Sequence, residues 1–347
     1  MKQSYQEAIS LLKKLIETPS ISRQEEKTAD IIEVFLKDKG FEVTRKYNNV
    51  WVEHINDKLK PTVLLNSHHD TVKPVESWKR KPYYADIVVD KLFGLGSNDA
   101  GASLVSLMMT FIYLSKQKNT LYNYIFLASA EEEVSGINGI SSVLSEIGEI
   151  DFAIVGEPTG MNMAIAEKGL MVLDCTAKGK AGHAARDEGI NAITIAVDDI
   201  KKLENYQFQK SSELLGDVKL TVSQINAGIQ HNVVPETCSF VVDVRTNEHY
   251  SNKEVYEIID KLLKSNVKAR SFRLNSSSIP GKHEIIQKGL DLGLKTYGSP
   301  TLSDQALMSF PSVKMGPGES ARSHTANEFI YLSEIENGIK TYIELLE

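Results

Sequence analysis

Acidic and histidine side chains stand just past separate apolar runs of this chain, and that arrangement narrows the folds open to it. In chain order they are His68 and Asp70, then Asp99, then Glu132 and Glu133, then Glu157, joined from near the C-terminus by His324. Carboxylates gathered in a partly buried cleft repel one another and push some of their pKa values up. A fold that collects them at one sheet edge needs a countercharge. Divalent cations supply it compactly, and a pair of them implies chemistry.

The 347 residues suffice for two domains, or one domain with a large insertion, around a sizeable core. Hydrophobic residues at 41% and charged residues at 24% are ordinary for a soluble globular protein. The formal charge of −7, with no basic stripe to offset it, argues against nucleic acid as a partner. Apolar runs such as Tyr124-Ile125-Phe126-Leu127-Ala128 fall far short of a membrane span, and Met1-Lys2-Gln3-Ser4-Tyr5 lacks the apolar stretch of a signal peptide. Cys175 and Cys238 both lie in strand-like segments, so neither a disulfide framework nor a thiolate metal site is expected. The expected setting is a reducing cytoplasm, with no membrane partner.

Periodicity sets the organisation. Ala8, Leu11, Leu12, Leu15 and Ile16 recur at helical spacing and stop before Pro19. A second helix is expected to open with a capping box from Ser22 to Glu25 and to end at Gly40. Strands are expected at Val50–Val52, Thr62–Asn66, Ile125–Ala128 and Phe152–Val155, with a helix from Gly101 to Leu114. This alternation predicts an α/β fold, a sheet flanked by helices with its ligand site outside the carboxyl ends of the strands. His68, Glu132 and Glu157 follow directly on three of those strands.

From about Gly169 the pattern changes to βαββαβ: strands at Leu170–Ala177, Val218–Ile225, Thr237–Arg245 and Val267–Leu274, and helices at Asn191–Leu203 and from the Ser251–Glu254 capping box through Leu263. That order predicts an inserted ferredoxin-like domain over residues 169–278, between the halves 1–168 and 279–347 of a metal-binding α/β domain. A strand at Val313–Met315 and a last helix carrying Ile335, Ile339, Tyr342, Ile343 and Leu346 complete the outer domain.

Each metal signal has a bland reading. A strand-end His68-x-Asp70 pair is more often structural, and His69 faces the other side of the strand. Asp99, ahead of a helix, reads as an N-cap. The triplet Glu131-Glu132-Glu133 reads as a solvated loop, although adjacent carboxylates also suit a division of labour in which one binds metal and the other moves a proton. Together they point to a site for two divalent ions. Histidine and carboxylate donors without thiolate fit Zn2+, with Co2+ or Mn2+ as substitutes.

With these motifs in view the chain resembles the acetylornithine deacetylase and succinyl-diaminopimelate desuccinylase family of co-catalytic zinc hydrolases over nearly its full length. The matching pieces are His68-x-Asp70, Asp99 with glycine close behind, Ala130-Glu131-Glu132-Glu133, Val155-Gly156-Glu157-Pro158, His324, Gly179-Lys180-Ala181-Gly182-His183-Ala184 and Asn232-Val233-Val234-Pro235. The resemblance implies a zinc-exopeptidase-like mixed sheet with the inserted domain as a lid and dimerisation module. It implies that Asp99 bridges two Zn2+, with His68 and Glu157 on one and Glu133 and His324 on the other. Asp70 would support His68, Glu132 would be general base and acid, and His183 and Asn232 would approach the substrate, in dimeric members from the partner subunit. Arg245, in Asp243-Val244-Arg245, would grip a substrate carboxylate; its bland alternative is an arginine paired with a neighbouring acid. The residue after the bridging aspartate, often methionine in relatives, is Ala100 here, and the first acid of the triplet, often aspartate, is Glu131. The family also places a cis peptide after that aspartate, which is costly where no proline follows.

The implied reaction is hydrolysis of the amide of a small-molecule N-acyl amino acid, with Glu132 taking a proton from the attacking water and returning it to the leaving amine. Residues 298–304 and 316–319 look most like the acetylornithine deacetylase branch of arginine biosynthesis, with acyl-citrulline close by. Acyl-lysine and succinyl-diaminopimelate are alternatives, as are dipeptides cut by a dipeptidase or aminopeptidase on the same scaffold. Asp304 reads either as a turn residue or as a reader of a cationic side chain. A rival of another class is an inactive metal-binding dimerisation protein, against which the free carboxylate of Glu132 argues. A homodimer through the inserted domain is expected, since an exposed sheet edge can pair across a two-fold axis.

Overall fold

The computed structural model describes residues 2–186 and 188–347. They form two compact units, Met1–Ile165 with Ile279–Tyr297 and Ser303–Glu347, and Ala166–Ser278 with Gly298–Leu302. In chain order the first unit holds α1 (Lys2–Ile16), α2 (Glu26–Asp38), β1 (Thr44–Lys46), β2 (Asn49–His54), β3 (Thr62–His68), β4 (Asp86–Val88), β5 (Lys91–Phe93), α3 (Ala102–Leu114), β6 (Asn123–Ser129) and β7 (Phe152–Val155). The unit boundary falls within β8 (Met163–Glu167). Then come β9 (Gly169–Lys178), β10 (Gly182–His183), α4 (Ala192–Asn205), β11 (Lys219–Ala227), β12 (Val233–Val234), β13 (Thr237–Thr246), α5 (Asn252–Leu262), β14 (Asn266–Ala269) and β15 (Ser277–Ser278). The chain ends with α6 (Glu284–Asp291), β16 (Thr296–Ser299), β17 (Ser312–Lys314), β18 (Phe329–Tyr331) and α7 (Leu332–Leu346).

The first unit is built on a mixed sheet in the order β1-β2-β6-β3-β7-β17-β8. β3 runs parallel to β6 and β7, and β17 parallel to β7, whereas β1, β2 and β8 are antiparallel to their neighbours. All seven residues of β3 and all seven of β6 are buried, as expected of strands covered on both faces. Their side chains alternate between two cores. Val63, Leu65, Tyr124 and Phe126 pack with Leu12 of α1, Phe111 of α3 and Tyr342 of α7, while Leu64, Ile125 and Leu127 pack with Trp51, Ile140 and Val143. The parallel strands therefore end together, and the residues that follow them share one edge. A separate three-stranded sheet, β18-β5-β4, sets Phe329 opposite Phe93.

The second unit has the βαββαβ order and an antiparallel sheet β11-β13-β9-β14, the ferredoxin-like arrangement. β9 and β13 alternate buried and half-exposed residues, and their buried positions, Leu173, Cys175 and Val242 among them, pack against Ala196 and Leu203 of α4 and Val255 and Ile259 of α5. The capping box at the start of α5 is present, with Ser251 and Glu254 exchanging side-chain and backbone hydrogen bonds. β14 stops at Ala269 rather than Leu274, because a turn in which Ser271 Oγ accepts the Arg273 N–H takes the chain off the ladder. No helix among the described residues is long and apolar enough to cross a membrane.

One local expectation fails informatively. α2 begins at Glu26, and Glu25 at its N-cap makes no side-chain capping bond, so there is no capping box from Ser22 to Glu25. Both side chains are used elsewhere: Ser22 Oγ donates to Asp70, and the fully buried Glu25 carboxylate accepts the N–H groups of Arg23 and Glu131.

Candidate metal centre

His68 closes β3 and is 1% exposed. Its Nδ1 lies 3.0 Å from the Asp70 carbonyl oxygen and 3.5 Å from Asp70 Oδ1. Nδ1 therefore carries a proton, and Nε2 faces Asp99 Oδ1 at 3.3 Å and Glu157 Oε1 at 3.6 Å. Asp99 sits in the turn Ser97–Gly101 ahead of α3, with φ −117° and ψ 100°, and its peptide bond to Ala100 is cis. Its other oxygen, Oδ2, faces His324 Nε2 at 3.6 Å, and that nitrogen is 2.9 Å from Glu133 Oε2. The Asp99 carboxylate thus presents one oxygen to His68, beside which Glu157 lies, and the other to His324, which also reaches Glu133.

The loop after β6 is held from below. Glu131 adopts φ 55°, and the backbone N–H groups from Ala130 to Glu133 all donate to side chains: Ala130 to Asn49 Oδ1 (3.0 Å), Glu131 to Glu25 Oε1 (3.2 Å), Glu132 to Asp70 Oδ1 (3.1 Å) and Glu133 to Asp70 Oδ2 (3.2 Å). Asp70 also accepts from Ser22 Oγ at 2.6 Å. It therefore serves two elements at once, orienting His68 and fixing the two acids that follow. Glu132 Oε2 ends 3.9 Å from His68 Nε2.

Electrostatics shows what such a cluster demands. Burial and the charges of Glu157, Asp304 and Glu133 push Glu132 well above the usual carboxylate range, against the pull of His68. Burial raises Glu157 to about 8, with Asp99 adding to the effect. Burial opposes charge on His68, yet hydrogen bonds to Asp70 and Asp99 and the fields of Glu132 and Glu157 hold it well above its ordinary value. The hydrogen bond to Glu133 lifts His324 to about 9. Protonated imidazoles and acids are the response of this arrangement to excess negative charge, and a bound divalent cation inverts that logic.

The donors fit such ions. Around a tetrahedral ion with bonds of about 2.0–2.1 Å, neighbouring donor atoms stand roughly 3.3–3.4 Å apart. The contacts above run from 2.9 to 3.6 Å. Donor atoms of His68, Asp99 and Glu133, and of His68, Glu132 and Glu157, lie within 4.8 Å of one another. His324 is the exposed member, its side chain 55% accessible, whereas His68 lies at the buried end.

Neighbouring candidates lie elsewhere. His69 turns toward α2, with Nδ1 2.9 Å from Thr28 Oγ1 and Nε2 2.8 Å from the Asn48 carbonyl, and burial lowers its pKa to about 4. Asp304 opens the short turn Asp304–Leu307; it is 3% exposed and accepts from Ser129 Oγ at 2.5 Å, while Ser303 caps the turn by accepting the Gln305 N–H. In the second unit His183 and Asn232 are exposed at the β10–β12 ribbon, where the Ala184 N–H donates to the Asn232 carbonyl. Arg245 is engaged by its neighbour, with Nε and Nη2 at 2.8 and 3.1 Å from the two Asp243 oxygens. Four residues of the supporting network, Ser22, Glu25, Asn98 and Glu328, escape sequence reasoning in this role, and a buried acid such as Glu328 carries no local signal beyond its place before a strand.

Residues 165–271 match the family described as a peptidase dimerisation domain. The peptidase M20 domain-containing protein of Schizosaccharomyces pombe is 28% identical over 96% of this chain and 82% of its own length. The succinyl-diaminopimelate desuccinylase of Orientia tsutsugamushi (strain Boryong) is 26% identical over 97% of this chain and 95% of its own. Among solved structures, a dinuclear metal-binding M20 peptidase of Bacillus subtilis gives a TM-score of 0.77 at 18% identity, covering 99% of this chain and 98% of that one. An M20 metallo-carboxypeptidase of Sulfolobus solfataricus gives 0.74 at 17% identity over 98% of each. The two structures speak for the fold, and the curated relatives are similar along nearly the whole chain. Over nearly its whole length the chain is similar to an M20 peptidase domain-containing protein and to succinyl-diaminopimelate desuccinylases, and residues 165–271 match the peptidase dimerisation domain.

Proposed function

We propose that this protein hydrolyses the amide of an N-acyl amino acid, releasing the free amine and the carboxylate of the acyl group. The observation that carries this reading is the carboxylate of Asp99, which presents separate oxygens to His68 and His324 while Asp70 fixes Glu132 alongside. In this reading His68, Asp99 and Glu157 hold one cation, and Asp99, Glu133 and His324 the other. Zn2+ is the favoured ion, with Co2+ or Mn2+ as substitutes, because the donors are imidazole and carboxylate without thiolate. When bound, a pair of such ions lowers the pKa of a water and acts as a Lewis acid on the carbonyl oxygen.

Glu132 takes the proton of the attacking water and delivers it to the amine as the C–N bond breaks. His183 and Asn232 contact the substrate, and Arg245 its carboxylate, in a homodimer formed through the second unit. Two buried free thiols, Cys175 and Cys238, suit a reducing cytoplasm.

For the acyl group, N-acetylornithine and N-acyl-citrulline stand beside succinyl-diaminopimelate. The last is favoured by relatives that bear that name along nearly the whole chain. The burial of Asp304 removes one argument for a cationic substrate side chain. The test is a product assay across acetyl and succinyl derivatives of ornithine, citrulline, lysine and diaminopimelate, with free dipeptides alongside, each with and without added zinc or cobalt. Metal-dependent release of amine from an acylated substrate supports the proposal; cleavage of unblocked dipeptides alone refutes it.

A further inference from the structure

Glu328 precedes β18, the strand that sets Phe329 against Phe93 of β5. The ladder continues one step, with the Gly94 N–H donating to the Glu328 carbonyl at 3.1 Å. The side chain then turns inward and is 2% exposed. Its carboxylate accepts three backbone N–H groups of the turn that carries Asp99: Gly96 on Oε2 at 3.2 Å, and Asn98 and Asp99 on Oε1 at 2.8 and 3.0 Å. Asp99 and Ala100 have non-helical dihedrals, so this turn offers its N–H groups to a side chain instead of closing a regular helix.

Asn98, fully buried, completes the link. Its Oδ1 accepts the Glu319 N–H at 3.0 Å, and its Nδ2 donates to the Glu319 carbonyl at 3.1 Å and to Ser323 Oγ at 3.3 Å. Gly318, at φ +91°, is needed for that approach, since a Cβ there would lie 2.4 Å from Asn98 Oδ1. The chain bound by Asn98 runs directly into His324.

We propose that Glu328, assisted by Asn98, is the positioning residue of the dinuclear centre, holding the Asp99 turn and the His324 loop at ligand spacing before any cation binds. The inference rests on the dinuclear reading above. Asp99, Glu133 and Glu157 repel one another without a countercharge and cannot set their own spacing. A carboxylate at position 328 has two oxygens free to accept all three N–H groups, whereas glutamine has one and turns an amide toward the others. Glu328 touches neither substrate nor cation; it acts through Asp99.

The experiment is a titration of metal-free protein with Zn2+ against a chromophoric chelator, for the wild type, E328Q and N98A. Circular dichroism and thermal unfolding of the metal-free forms accompany it. A role in positioning predicts that E328Q binds zinc roughly 10–100-fold more weakly, the scale on which outer-shell partners act. N98A weakens it in the same direction. Wild-type affinity for both equivalents in folded E328Q, or in N98A if E328Q does not fold, overturns the proposal, even when the metal-free unfolding midpoint falls. Hydrogen exchange on the metal-free wild type is independent of any variant: peptides covering residues 94–101 should already be protected, and rapid exchange there contradicts a preformed turn. A wild type that takes up no zinc defeats the dinuclear reading itself; a wild type that takes up two ions, with variants that match it, defeats only this inference.

Discussion

Replacing Asp70 with Asn tests whether one buried carboxylate positions the catalytic loop. Its side chain is inaccessible, and its oxygens accept the N–H groups of Glu132 and Glu133 and the hydroxyl of Ser22 while facing His68. Asparagine keeps the shape but turns one oxygen into a donor, which then faces an N–H group that it cannot accept. Losing one buried hydrogen bond to a charged group costs about 1.5–3 kcal/mol. At about 1.4 kcal/mol per tenfold, that is about 10- to 150-fold if the cost falls on the transition state. In the proposed mechanism Glu132 acts on the proton in flight, so kcat and kcat/KM are expected to fall together with little change in KM. Steady-state kinetics on the substrate found by the acyl panel, with circular dichroism to confirm folding, measures this. A folded Asp70→Asn enzyme whose kcat stays within about threefold of wild type would refute the reasoning.

Glu132→Gln should retain its complement of metal by elemental analysis yet lose turnover by about 10²–10⁴-fold; retained turnover means that the base is misassigned. Chelation should lower the unfolding midpoint, since each ion held at 100 times its Kd stabilises the folded state by about 2.7 kcal/mol, and an unchanged midpoint would contradict ion binding. Asp199 is fully buried in the second unit; burial raises its pKa, but Lys202, the N–H groups of Lys264 and Ser265 and the Ser265 hydroxyl outweigh that and lower it. A depressed carboxyl contributes stability above its unfolded pKa of about 3.9 and loses it as pH falls through the folded value. Urea unfolding of Asp199→Ala should therefore show a larger deficit at neutral pH than in acid, and a deficit independent of pH would refute the role.

The strand ends are legible in the sequence because burial on both faces leaves β3, β6 and β7 as continuous apolar runs, and polar residues must wait for the edge. That logic locates His68, Glu132 and Glu157. The βαββαβ unit is legible for a related reason: half-buried strands alternate, and Ser251 with Glu254 marks a helix start that depends on local geometry alone. The same local rule misreads Ser22 and Glu25, since a capping box and a pair of buried side chains serving distant backbone look identical in sequence. Asp304 and Glu328 are obscure for the same reason. Their partners, Ser129 and the Asp99 turn, lie 175 and about 230 residues away along the chain, where no periodicity reports.

The most direct measurement is anomalous diffraction from crystals grown with zinc. Two peaks flanking the Asp99 carboxylate, about 3.5–4 Å apart, with His68 and Glu157 on one and Glu133 and His324 on the other, are the predicted result. Zinc bound elsewhere, or His68 and His324 without a shared bridging carboxylate between their ions, would contradict it.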